Sequence, residues 1–286
     1  GWWDWKQKEG QLTADQLWIS GYYGDFDYQV GKQAINWGTA DGFNPTNYFS
    51  RMSSSSLVTG DLAGNPIWAA QALYYGPSWS LTGVIIPVFT PQKLDDQMTD
   101  LIMEEGPQSI VFLEAIEGTK KPRGFGKSEL ALRAETQLAG FDVQASYFWG
   151  YEPLPGLEMV INLENLENLM LSKPEGTYRR QHVLGLATSG TLGPAGVWGE
   201  VAYVLPEQFA KSESPTETEL RIPMSINENY FQAVVGGDYT FDLGKGLLTQ
   251  VQYIYRGQGS LLAPYVPPTE EMGAGEIEPA HYLYGR

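Results

Sequence analysis

The chain has 286 residues, no cysteine, and a formal net charge of −16 from 18 basic and 34 acidic residues. It has no means of forming a disulfide framework or a thiolate metal site, its two histidines are too few for a His-rich metal centre, and it lacks the basic footprint of a nucleic-acid binder. Charged residues make up only 18%, below the ~25% of ordinary soluble domains, while 33 glycines and a 13% aromatic share point to a β-rich protein with unusual surface needs.

In chain order, alternating segments come in pairs joined by very short turns. Leu17–Tyr23 and Phe26–Trp37 flank Gly24-Asp25, and Ile67–Tyr75 and Trp79–Phe89 flank Gly76-Pro77. Leu130–Leu138 and Phe141–Tyr151 flank Ala139-Gly140, and Tyr178–Thr191 and Ala195–Leu205 flank Gly193-Pro194. Tyr230–Phe241 and Leu247–Tyr255 flank Leu243-Gly244-Lys245-Gly246. Glycine in every turn is hairpin chemistry. The linkers between hairpins, 38–66, 90–128, 152–177, 206–229 and 258–279, are long. Short turns on one side and long loops on the other is the asymmetry of a bacterial outer-membrane barrel, whereas a soluble sandwich spaces its turns evenly.

The strands alternate with period two. In Phe141–Tyr151 one face carries Phe141, Val143, Ala145, Tyr147, Trp149 and Tyr151, and the other carries Asp142, Gln144, Ser146, Phe148 and Gly150. In Glu129–Leu138, Leu130, Leu132, Ala134, Thr136 and Leu138 oppose Glu129, Ala131, Arg133, Glu135 and Gln137. Any half-buried sheet does this. Two details favour lipid over a protein core. The strands run about ten residues, enough to cross a bilayer when tilted. Aromatic residues such as Tyr22, Tyr23, Phe26, Trp79, Phe141 and Phe241 gather near strand ends, as interfacial girdles do. In Phe26–Trp37 the apolar phase slips at Lys32 and Asn36, and Gly31 is read as a bulge that resets it. Thr90-Pro91 opens an expected helix that ends at Gly106, a second helix is expected over 163–172, and Ser109–Ile116, strand-like in composition, is assigned to loop 90–128.

The chemistry-bearing residues give little. The carboxylate pairs Asp95/Asp96, Glu104/Glu105, Glu217/Glu219 and Glu270/Glu271 suit glycosidase or Ca²⁺ chemistry in principle, but all lie in predicted loops and read as solvated charge. His182 lies in a strand beside Arg179 and Arg180 with no nucleophile placed near it by any motif, so it reads as structural. Lys120, Lys121, Arg123 and Lys127 form a basic cluster that suits lipopolysaccharide phosphates or plain solvent. Trp198 and Phe148 fall on the polar face and remain candidates for a lumen contact.

Gly31-Lys32-Gln33, Asn36-Trp37-Gly38 and Phe43-Asn44-Pro45-Thr46, together with Trp79-Ser80-Leu81, the run Val84–Pro91 and Tyr147–Tyr151, resemble an uncharacterised porin-like family of outer-membrane β-barrels. In that family the first three motifs close an early strand and open an extracellular loop. The resemblance spans Val30 to Tyr255, and Asn47 stands where Asp is expected. It implies a fold and a compartment, and little chemistry.

The expected fold is all-β: an antiparallel up-and-down transmembrane β-barrel with ten full strands visible, incomplete, in one domain over 1–286, with long loops and short helices. The expected function is diffusion of small solutes through a polar lumen in the bacterial outer membrane, with no enzymatic activity, catalytic residue, metal or cofactor. Lumen-lining residues are expected to be Gln29, Arg133, Glu135, Gln144, Glu200, Gln250 and Gln252, and loop 90–128 to fold inward as the constriction. Expected partners are outer-membrane lipid, lipopolysaccharide, small solutes, and copies of itself or other membrane subunits, but not nucleic acid. A plugged structural or adhesive barrel and a soluble carbohydrate-binding β protein are the alternatives. With the short turns periplasmic, both ends of the chain fall on the outer side. The chain then reads as an internal piece of a barrel of about twelve strands or more, with Trp2, Trp3 and Trp5 left from a preceding strand and a further strand starting near His281.

Overall fold

The short turns fix the pairing of everything between them. At Ala139-Gly140 both residues have positive φ, 52° and 86°. A two-residue type I′ hairpin needs that combination, because its twist matches that of the strands. Pairing then runs without a gap from Leu138↔Phe141 to Leu130↔Trp149.

The structure, a computed structural model, describes residues 2–4, 9–11, 16–40, 43–49, 66–92, 94, 99, 109–162, 173–209, 219–258 and 279–285. Its strands are β1 (Trp2–Asp4), β2 (Glu9–Gln11), β3 (Leu17–Tyr23), β4 (Phe26–Gln33), β5 (Ile67–Tyr75), β6 (Trp79–Ile86), β7 (Glu129–Leu138) and β8 (Phe141–Tyr151). They continue as β9 (Gly156–Asn162), β10 (Lys173–Thr177), β11 (Arg180–Leu192), β12 (Ala195–Pro206), β13 (Glu219–Pro223), β14 (Tyr230–Phe241), β15 (Leu247–Arg256) and β16 (Ala280–Gly285). Helix α1 spans Ser109–Gly118, and a 3-10 turn spans Phe125–Lys127.

Eleven strands form one sheet in the order β16-β15-β14-β12-β11-β8-β7-β6-β5-β4-β3. Every pairing in it is antiparallel. The order follows the sequence except where β9, β10 and β13 leave to form a sheet of their own, so the large sheet is an up-and-down meander, an open barrel wall. The ten strands expected from the alternation are all present, and the segment near His281 is β16, paired with β15. Among the described residues no pairing joins β3 to β16. Trp2–Asp4 pairs with Glu9–Gln11 and not with the wall, contrary to its expected place as the remnant of another wall strand.

Gly31 is not a bulge. Trp18↔Gly31 and Leu17↔Lys32 continue the one-for-one pairing on one side, and Gly31↔Ala69 and Lys32↔Trp68 continue it on the other. Its φ of 139° suits glycine, and its lack of a Cβ leaves room for the Leu17 carbonyl, which a Cβ would strike. The strand stops at Gln33, short of the expected Trp37.

The long-connector side carries a cap. β9 pairs with β10 and β13, and α1 packs on this small sheet through Ile116, which is buried with Leu157 and Met224, while Phe112 and Ala115 flank it. Phe112, Ala115 and Ile116 recur at helical spacing, and this outweighs the β-branched composition that made the segment look like a strand. The cap is tied to the wall by Arg179, which donates from Nε and Nη2 to the two Glu152 oxygens at 2.8 and 2.7 Å and to the Ile226 carbonyl at 2.8 Å. Its guanidinium also lies 4.3 Å from the Phe209 ring centre. Burial pushes the Glu152 carboxyl above its ordinary value, and the adjacent Arg179 offsets this only in part. The helix expected from Pro91 does not begin there, since Pro91, Gln92 and Leu94 are non-helical and Gln92 N–H donates to the Pro153 carbonyl at 2.9 Å, but Thr99 within the expected span is helical. Residues 93, 95–98 and 100–108, the expected helix 163–172, and the carboxylate pairs other than the Glu219 backbone lie outside the described residues.

Candidate functional site

Register sorts the wall into two faces. Leu132, Tyr147, Leu184, Tyr203 and Phe231 are cross-strand neighbours over five strands on one face. Ala131, Phe148, Val183 and Val204 are neighbours on the other, which is the buried face. On the inner face of β7, β8, β12 and β15 a polar residue is followed, toward the connector end, by an apolar one, and β7 ends on the buried carboxylate of Glu129. Glu135 gives way to Ala131, Gln144 to Phe148, Glu200 to Val204 and Gln252 to Ile254.

The chain itself covers that inner face. After Gln33 it leaves the wall and runs inward, and Ile35, Trp37, Ala40, Phe43, Tyr48 and Phe49 are all buried. Ile35, Trp37, Tyr48 and Phe49 pack with Ile67, Val84, Ala131, Phe148, Val183 and Val204 from the wall. Ala40 and Phe43 pack with Trp198, Val234 and Ile254. The Tyr48 ring stacks on Phe148 at 5.1 Å and 17°, and its hydroxyl lies 2.8 Å from Ser146 Oγ. Gly185 makes room here, because a Cβ would strike the Tyr48 hydroxyl and Ser146 Oγ. Burial pushes the Tyr48 hydroxyl up to about 12, the Ser146 hydrogen bond opposing.

One wall residue holds the far end of this segment. Glu200 of β12, six strands along the sheet from β4, is 4% exposed. Its Oε1 accepts from Thr39 N–H and from Ala40 N–H at 2.8 Å. Its Oε2 accepts from Thr46 N–H at 3.2 Å and Thr46 Oγ1 at 2.7 Å. Thr39 Oγ1 lies 3.3 Å from Oε1 and 3.4 Å from the Thr188 carbonyl, and its single proton serves one at a time. The bend between is closed on itself. Asn44 Nδ2 donates to the Trp37 carbonyl at 3.0 Å, and Asn47 N–H donates to the Asn44 carbonyl at 3.1 Å.

The seven residues expected to line the lumen share the inner face. Gln29 opposes Gln71, whose amide donates to Gln29 Oε1 at 3.2 Å and Gln33 Oε1 at 2.9 Å. Arg133 pairs with Glu135 at 2.8 Å and lies over the Trp37 ring at 4.9 Å. Gln144 opposes Glu135. Gln252 accepts from Trp198 Nε1 at 3.0 Å, and Gln250 is buried opposite Asp238. Arg133, Glu135 and Gln144 form one polar strip, Gln29 joins a separate glutamine cluster, and Glu200 serves the inward segment. Among the described residues, the buried Asn47 Nδ2, Thr82 Oγ1 and Arg133 Nε have no hydrogen-bond partner, and Thr82 opposes Arg133 across the strands. Each retains capacity for water or a polar solute.

The described segment that runs inside the wall is not the loop expected there. The described part of loop 90–128 packs on the small sheet through α1, and the inward element is 34–40 and 43–49. The motifs at Asn36-Trp37-Gly38 and Phe43-Asn44-Pro45-Thr46 mark this segment. The segment's own content carries the signal: four aromatic residues, Trp37, Phe43, Tyr48 and Phe49, are too apolar a company for a solvated loop. Trp198 and Phe148 both contact it, directly or through the clusters above. His182 faces outward, its Nδ1 2.7 Å from the Tyr147 hydroxyl, and His281 repeats the arrangement with Tyr253 at 2.6 Å. Among the described residues no group of three His, Asp or Glu side chains is placed to hold a metal.

No family model matches the chain, and no curated protein matches it. Among solved structures, a porin refined at 1.8 Å resolution is similar, with 14% identity and a TM-score of 0.38, over 86% of this chain and 58% of that one. The chain thus spans less than two-thirds of the length of the porin it matches.

Proposed function

We propose that the chain forms the wall of an outer-membrane channel in which small polar solutes diffuse past a constriction made by residues 34–40 and 43–49. The observation that carries this reading is the outward face. Ile19 is 77% exposed, Leu184 52% and Val235 57%, and they belong to a belt of exposed apolar side chains on nine of the eleven wall strands, to which β8 and β12 add half-buried ones such as Tyr147 and Val201. In water each such side chain forgoes roughly 1.5–3 kcal/mol relative to burial, and contiguous exposed apolar surface of this kind marks an interface. Lipid satisfies it, while the antiparallel ladder satisfies the backbone. The polar strip of Arg133, Glu135 and Gln144 supports a wet path beside the inward segment. The short turns then face the periplasm and the cap faces outward. Reconstitution of the full chain into planar bilayers tests this: discrete conductance steps are expected, and a protein that stays in solution without detergent overturns it.

The apolar packing of Trp37, Tyr48 and Phe49 on the inner wall favours a second reading, a plugged barrel whose outer cap does the work. Insertion into bilayers without any conductance step selects it.

A further inference from the structure

We propose that the rim above the apolar belt holds a site for a phosphate-bearing lipid headgroup, formed by Lys121, Arg123 and Lys127 with Phe125 as its apolar anchor. The inference rests on the membrane reading above and adds a ligand class to it.

Position is the first argument. Arg180, at the start of β11, lies over the Trp149 ring at 4.0 Å and the Tyr151 ring at 4.4 Å. Trp149 belongs to the outward face, opposite Leu130 and His182. From there Arg180 donates to the Ser128 carbonyl at 3.2 Å and the Gly126 carbonyl at 3.3 Å. These bonds pin the 3-10 turn Phe125–Lys127 on the outer side of the wall, above the outward pair Ile85↔Leu130. Phe125 is 90% exposed on that turn, and Val88 nearby is also exposed. An aromatic ring left bare on a rigid turn directly above an apolar belt suits the bilayer interface.

Charge is the second. A cavity of about 290 Å³ opens between the Pro87–Pro91 stretch and the Lys121–Gly124 stretch, and Lys121, Arg123 and Lys127 all line it. Among the described residues the ion pairs are Arg133–Glu135, Arg179–Glu152 and Arg221 with Glu158 and Glu175, so none involves these three cations. Three exposed cations converge on one cavity in a chain of net charge −16. Arg123 offers a planar fork and the two lysines offer point charges, the donor set that a phosphate monoester with several acceptor oxygens takes. A headgroup there places its acyl chains along the belt below, where a free anion leaves Phe125 unused.

The test is native mass spectrometry of the full chain in detergent, titrated with phosphatidic acid or with phosphatidylcholine. Preferential retention of phosphatidic acid is expected. The triple variant Lys121→Gln, Arg123→Gln, Lys127→Gln should weaken it by about tenfold or more, and Phe125→Ser should weaken it by a smaller factor. Equal retention by wild type and triple variant overturns the site. Displacement of the lipid by an equal concentration of inorganic phosphate overturns the assignment to lipid. Insertion into pure phosphatidylcholine vesicles is read in parallel: a chain that inserts but shows no preference for phosphatidic acid loses this inference alone, and one that does not insert loses the membrane reading as well.

Discussion

Glu200 and Val201 are consecutive residues of β12 and face opposite worlds. Glu200 is buried under the inward segment and accepts from Thr39, Ala40 and Thr46, while Val201 opposes Leu186 and Ala233 on the outward face. The same backbone thus carries a face that has found its partner within the chain and a face that has not. The difference teaches that exposure in this protein reflects the solvent each face meets. The inner face holds carboxylates, amides and a guanidinium and is covered by protein, whereas the outer face is Leu, Val, Ile and aromatic and is bare.

The largest effect that breaks this comparison is expected from Glu200→Ala. It strands three backbone N–H donors in a buried site, at about 1–3 kcal/mol for each group left unpaired, so a total of at least about 3 kcal/mol in urea unfolding is expected. If the segment is the constriction, conductance rises as well, and an unchanged conductance places the narrowest point elsewhere. Glu200→Gln, which keeps one acceptor oxygen, should fall between.

Val201→Arg probes the other face and should cost on the order of 2–4 kcal/mol in a bilayer. Gln144→Arg, inward and opposite Glu135, should cost little. Equal penalties from the two substitutions would describe a sheet packed in protein on both sides.

Trp198→Phe removes the indole N–H that Gln252 Oε1 accepts and keeps most of the ring that packs with Ala40 and Phe43. About 1 kcal/mol is expected, and a loss of several kcal/mol would assign the residue a larger part in holding the segment.

The smallest effect concerns the cap. Burial raises the folded-state pKa of Glu152 above its unfolded value. The stability this group contributes is therefore full below the unfolded pKa and is lost as pH rises through the folded one. The protection of the cap amides, taken relative to the intrinsic exchange rate at each pH, should rise on mild acidification, and Glu152→Gln should flatten that dependence. A cap that loosens on acidification in the wild type would mean that the Arg179 pair outweighs burial.

The wall was legible in the sequence because its signals are local. Period-two alternation sets the faces of β7 and β8, and glycine turns such as Ala139-Gly140 set their register. The seven residues proposed to line a lumen were placed on the inner face by parity alone. The inward segment was not legible, because what holds it is a carboxylate far along the chain, and no local pattern encodes such a contact. The motif residues Trp37, Asn44 and Thr46 could be noticed but not interpreted without Glu200. Helix α1 was hidden by Ile110 and Val111, β-branched residues whose strand preference gave way to the packing of Ile116 on Leu157. Strands β9, β10 and β13 read as loop in the sequence because each is short and pairs only with another connector.

The clamp at Glu200 also orders events in time. Thr39 and Ala40 are separated from it by 161 and 160 residues, and Thr46 by 154. Contacts of such high sequence separation form late, because loop closure must precede the reward. Residues 34–40 and 43–49 therefore wait for their last hydrogen-bond acceptor until β12 arrives. Refolding should display a slow final phase that reports Trp37 burial after most strand signal has returned, and Glu200→Ala should abolish that phase while leaving the earlier ones intact.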